Sequence, residues 1–406
     1  MKFLGKLLIL WDLCVNWLRD TQLTGWLSKP PILTGEATSP IEIHDNHIHI
    51  QAQANQSRPF SLILDTGADY NALNVNLSDE LGVKHKIEIK LSSAGTGEDS
   101  TTIAFTKTIS LNLLGFPLRA NILAPFDKLE AGIGRPIDGI LGAEIFNRSV
   151  VEIDYQAQKI TLHSPETYDA SGVGSLIPIL LTGRRPFIQA RIKFPGQEAI
   201  DGKLIIDTGD SSGLSLHTPF VQKHELLSYA GSVFPHFTSG VAGEAREYLG
   251  RAESLQFGRY VIKRPIIALS QAEKGSTAEK SYDGAIGGEI LRRFKVILDY
   301  SRRQMTLEPN TNIDAPFVVD MSGMELIAQG QKFETFQVGR IYENTPASEA
   351  GLHQGDILLE INAIAARNLG LEQVKQMFKV DGQEFIMNIQ REGQPMQFTL
   401  TTRRLV

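Results

Sequence analysis

The sequence predicts a mostly β protein: two tandem lobes related by an internal duplication, followed by a smaller α+β domain. Three observations predict it. Four short landmarks occur twice in the same order. Within each copy, short apolar runs alternate with Gly, Asn and Asp turns, the texture of a barrel- or sandwich-like sheet domain. Beyond about residue 310 the texture changes to a proline-containing linker, then a segment with its own turn and helix signals.

The chain has 406 residues, too many for one ordinary core, so two or three domains are expected. It is 42% hydrophobic and 21% charged with a formal net charge of -6, so no basic excess points to a nucleic-acid partner. A single cysteine, Cys14, excludes an internal disulfide and a cysteine-ligated zinc site. Residues 1–39 are an N-terminal segment. There Lys2 and Lys6 precede the run Leu7-Leu-Ile-Leu-Trp11, which Asp12 and Asn16 interrupt. Two readings stand: an amphipathic helix, or a degenerate export signal or anchor. The expected location is periplasmic, exported or membrane-associated rather than cytoplasmic.

The first lobe is placed at 40–165. It carries Ser61-Leu-Ile-Leu-Asp65-Thr66-Gly67-Ala68, then Asp138-Gly-Ile-Leu-Gly142 and Val151-Glu-Ile-Asp-Tyr155. The second, at 166–312, repeats them as Lys203-Leu-Ile-Ile-Asp207-Thr208-Gly209-Asp210, Asp283-Gly-Ala-Ile-Gly287 and Val296-Ile-Leu-Asp-Tyr300. Leu111–Gly115 and Ser254–Gly258 correspond between them, and the offset stays between 142 and 145 residues. A short helix is expected after each Asp-Gly landmark, at 143–147 and 289–294.

Asp-Thr-Gly alone is a weak signal. Doubled, each copy after an apolar run and each followed 77 or 80 residues later by apolar-apolar-Gly, it is a strong one. A buried strand holds the Asp rigid at its end, the Thr hydroxyl can bond across to the other copy, and the Gly lets a second backbone approach. Two such turns facing each other bring Asp65 and Asp207 together, where they share one proton. One is then a base toward water, and the other hydrogen-bonds a scissile carbonyl.

These motifs resemble the pepsin and retropepsin superfamily of aspartic peptidases over about 40–310. The resemblance implies two pepsin/retropepsin-like β lobes about a pseudo-two-fold axis and an endopeptidase with Asp65 and Asp207 as catalytic dyad. Thr66, Gly67, Thr208, Gly209, Gly142 and Gly287 would support it. It implies no cofactor and no metal, a peptide or unfolded-protein substrate, and a monomer that is an internal pseudo-dimer. It also implies flaps over the cleft, with Gly95, Thr96 and Gly97 at one tip and Gly240 and Gly243 at the other. Asp210 departs from the small or hydroxyl residue usual after Asp-Thr-Gly. It can raise the pair's affinity for protons, which predicts an acidic optimum, or it can point away. The alternative reading is a catalytically weak peptide-binding scaffold retaining the fold.

The last segment, 320–406, carries Asn344-Thr-Pro-Ala-Ser-Glu-Ala-Gly-Leu352 and Gly355-Asp356-Ile-Leu-Leu-Glu-Ile361, which resemble bacterial-type PDZ domains. The resemblance implies a short helix stopped by Gly351, a strand 357–361, and a peptide groove between a strand around 336–341 and a helix 371–378. Phe336, Val338, Ile341, Val374 and Phe378 are its groove candidates. Such a domain can tether substrate, regulate access, or serve as a cap without a ligand. His44, His47 and His49 suggest a metal cluster at first sight. Their alternation with Ile48 and Ile50 reads instead as exposed strand-face histidines.

Overall fold

A computed structural model describes residues 35–406 apart from 55–56, 85–86, 92–95, 98 and 170–173. The N-terminal apolar run and Cys14 therefore lie outside the described residues. Among those described, no helix is long and apolar enough to cross a membrane. The chain is mostly β, and its described residues form four sheets.

Each lobe has its own sheet, and the two repeat one motif. In the first, strand Pro59–Leu64 runs parallel to Gly139–Leu141, which lies antiparallel to Ala72–Asn74, itself parallel to Phe116–Ala124. In the second, Ile200–Ile206, Gly284–Ile286, Leu214–Leu216 and Ile266–Ser270 repeat the same order and directions. The central strands read as apolar runs because both faces are covered: Leu62, Leu64, Leu204 and Ile206 are fully buried. The Asp of each Asp-Gly landmark anchors the start of its partner strand. Asp138 accepts the Ser61 N–H at 2.8 Å, and Asp283 accepts the Lys203 N–H at 2.8 Å.

A six-stranded sheet joins the lobes. Val150–Asp154 of the first pairs antiparallel with Phe294–Asp299 of the second, flanked by Glu36–Pro40 and Lys159–His163 on one side and Gln304–Pro309 and Ser175–Pro178 on the other. One apolar core runs through both lobes, whereas residues beyond 320 build their own around Phe336, Val374 and Phe378. A helix forms at Gly288–Leu291, but 143–147 is a series of turns. There the Asn147 and Ser149 side chains donate to the carbonyls of Ala143 and Ile145 and tighten the backbone.

In the C-terminal segment, helix Pro346–Glu349 begins in a capping box of Thr345 and Ser348, strand Ile357–Ile361 follows, and helix Leu371–Met377 comes later. Buried Asp356 of the Gly-Asp turn is held by Arg391 through two 2.7 Å bonds. Strand Thr335–Ile341 is interior, paired with Met324–Gln329 on one side and Ile357–Ile361 on the other. The open edge beside helix Leu371–Met377 is therefore Met324–Gln329, not the strand around 336–341 expected from sequence. Phe336, Val338, Val374 and Phe378 are core residues, and Ile341 is half-buried against them. An extra strand enters the sheet ahead of the expected one and takes its edge.

Candidate active site

The two Asp-Thr-Gly turns meet where the lobes join. Asp65 N–H donates to Leu141 O at 2.9 Å and Asp207 N–H to Ile286 O at 3.0 Å, so each turn is bonded to its apolar-apolar-Gly strand. Thr66 and Thr208 are fully buried and exchange bonds across the axis. Thr66 N–H donates to Thr208 Oγ1 at 3.1 Å and Thr208 N–H to Thr66 Oγ1 at 3.0 Å. Each hydroxyl then donates at 2.6 Å into the opposite lobe, to Ile206 O and Leu64 O. All four polar groups are satisfied in a dry place, which makes the interlock rigid.

The glycines permit the approach. A Cβ on Gly67 would lie 2.5 Å from Asp207 Oδ2, and one on Gly209 would lie 2.5 Å from the Asp65 carboxyl carbon. Gly142 passes under the first turn, where a Cβ would meet Tyr70 O at 2.6 Å, and Gly287 passes under the second against Ser212 and Asp210 carbonyls. Burial pushes Asp65 up, against the pull of N–H donors from Gly67 at 2.7 Å and Ala68 at 3.0 Å. Burial pushes Asp207 up further, helped by the Asp65 and Asp210 charges and opposed by one backbone donor, Gly209 N–H at 2.9 Å. Asp210 turns its carboxylate to Ser212 N–H at 2.8 Å and Ser215 Oγ–H at 2.7 Å, while its charge still bears on Asp207.

The pair opens into a cavity of about 1260 Å³. Its first-lobe wall is apolar, with Ile63, Phe126 and Ile133. Hairpin Phe234–Gly240/Gly243–Arg251 crosses over it and touches the opposite loop: Ala242 N–H donates to Thr96 O at 3.3 Å and Asp99 N–H to Ala242 O at 2.9 Å. Thr96 and Gly97 thus meet Gly240 and Gly243 tip to tip, and Gly95 lies outside the described residues. The C-terminal segment grips this hairpin. Tyr342 Oη accepts the Phe237 N–H at 3.1 Å, and Arg340 pairs with Glu244 at 2.7 Å. Met324 and Lys375 line the same cavity as the aspartates, and Lys375 Nζ donates to Gly132 O at 2.8 Å.

His47 and His49 are buried, not exposed, because strand His47–Ala54 is paired on both sides at its start. Among the described residues no group of three or more potential ligands could hold a metal ion. Sequence reasoning also passed over Asn46, Arg184, Arg185 and Tyr282, which surround the turns. The duplication was the signal for the first three, carried back to the strand before each Asp, whereas Tyr282 has Ile137 at its repeat position and carried no such signal.

A search of curated proteins finds no match. Among solved structures the chain is similar to an aspartic proteinase from Irpex lacteus, at 13% identity and a TM-score of 0.44, over 69% of this chain and 98% of that one. The family model that matches residues 322–390 is that of the PDZ domain.

Proposed function

We propose that the chain is an aspartic-type endopeptidase that hydrolyses peptide bonds in the cleft between its lobes, with the PDZ domain assisting substrate binding or regulating access. The single observation that carries this reading is the close approach of Asp65 and Asp207 on interlocked turns that open into the cavity. The pair holds one proton. Asp65, with two N–H donors, keeps the negative charge and takes a proton from a water lying between the two. Asp207 donates its proton to the carbonyl oxygen of the substrate as that water attacks carbon. The resulting gem-diol collapses as Asp65 protonates the leaving nitrogen, the C–N bond breaks and Asp207 takes back a proton from a diol hydroxyl, so both aspartates return to their starting state. Both reacting groups come from the chain itself.

The apolar wall favours apolar side chains beside the cut bond. The shared cavity lining supports a role for the PDZ domain's edge strand in holding the extended substrate as it leaves the cleft. The test is cleavage of a peptide library between acidic and neutral pH, with and without a pepstatin-type inhibitor. Inhibited cleavage by the wild type, lost in both Asp65→Asn and Asp207→Asn, supports the reading. Inertness of the wild type throughout that range favours the scaffold alternative.

A further inference from the structure

Strand pairing aligns the two lobes beyond the landmarks. His49 lies opposite Ile63, and Phe187 lies opposite Ile205. Ile63 and Ile205 each stand two residues before an Asp of the pair. His47 is therefore the pseudo-two-fold counterpart of Arg185, and Asn46 of Arg184.

Both pairs reach across to the opposite turn. Arg184 Nη1 donates to Asp69 O at 3.4 Å, and Asn46 Nδ2 donates to Ser211 O at 2.7 Å. Asp69 and Ser211 each stand four residues after an Asp of the pair. Arg185 Nε lies 3.8 Å from the Asp69 carboxylate. At the second turn Ser211 stands in the place of Asp69, and His47 Nε2 lies 3.2 Å from Gly209 O. The carbonyl is an acceptor only, so Nε2 carries the hydrogen. Gly209 N–H in turn holds Asp207 Oδ1. His47 Nδ1 is buried without a partner, and the ring borders the cavity close enough for its charge to act on Asp65.

We propose that His47 is a positioning residue for the Asp65–Asp207 pair: it donates from Nε2 to the Gly209 carbonyl and so holds the turn whose Gly209 N–H orients Asp207. This rests on the peptidase reading of the pair.

Two variants of the full chain test the donor. His47→Gln keeps a donor, and His47→Phe removes it. Two readouts are taken: kcat and KM on a cleaved library peptide, and a carbon-13 titration of the aspartate carboxyls without substrate. In His47→Phe kcat falls about tenfold with KM unchanged and the carboxyl titration moves, whereas His47→Gln stays within about twofold of wild type and leaves the titration in place. An unchanged kcat and titration in His47→Phe overturns the proposal, as does an equal loss in both variants. Should His47→Phe not fold, His47→Leu carries the same test. The carboxyl titration reads the same effect in a protein that cleaves nothing, so failure of the peptidase reading is seen separately.

Discussion

The two lobes are alike in their floor and unlike in what surrounds it. Under the aspartates, the threonine interlock, the glycine approaches and the Asp138 and Asp283 anchors repeat almost atom for atom. Around them the copies have diverged. The first turn has Ala68 where the second has Asp210, and Arg185 faces the first where His47 faces the second. The first lobe contributes helix Asp127–Ile133 and an apolar wall, whereas the second contributes the hairpin that the PDZ domain grips. A symmetric frame can therefore hold two chemically equal carboxyls in unequal surroundings, because the donors and charges beyond the frame differ.

The largest way to break the comparison is to remove one carboxyl at a time. Asp65→Asn and Asp207→Asn each lower kcat/KM by about a thousandfold or more, measured on a library peptide. In stability they differ by degree, since both are raised and Asp207 the more. Asp207 is raised above its usual range, so its stabilising contribution is present at low pH and lost as pH rises through its folded value. Asp207→Asn is therefore more stable than wild type at neutral pH and less dependent on pH, by thermal denaturation.

The interlock offers the symmetric control. Thr66→Val and Thr208→Val each remove a buried hydroxyl that donates to one carbonyl and accepts one N–H. Each is expected to destabilise by about 3 kcal/mol in chemical denaturation, and the two values to agree closely. A large difference between them would show that the floor is less symmetric than its bonds.

A smaller asymmetry sits in the joining sheet, where Glu152 stands opposite its own counterpart, Ile297. His163 at 3.2 Å and Lys295 at 2.8 Å hold Glu152 down to about 2 from its ordinary 4.5. A lowered carboxylate stabilises above its ordinary value and loses that contribution as pH falls toward 2. Glu152→Gln should lose about 2–3 kcal/mol at pH 6, and the difference from wild type should vanish near pH 2. The smallest effect is the most local. Asp210→Ala makes the second turn resemble the first, relieves Asp207 of a neighbouring charge, and lowers the basic limb of the kcat/KM profile by about half a unit.

The sequence by itself determined the duplication, the β texture, the two Asp-Thr-Gly turns with their glycine partners and the signature of the C-terminal domain. Each is a short-range pattern: alternating burial along one strand, or a turn that only Gly or Asp can make. The tertiary structure alone decided that His47 lies buried on Gly209, that Asp210 turns to Ser215, that the hairpin tips meet, and that Met324–Gln329 takes the sheet edge expected for 336–341. Those outcomes join residues far apart in the chain. Which polar group a buried side chain finds, or which strand ends up outermost, depends on packing between segments that carry no mark of one another in their local sequence.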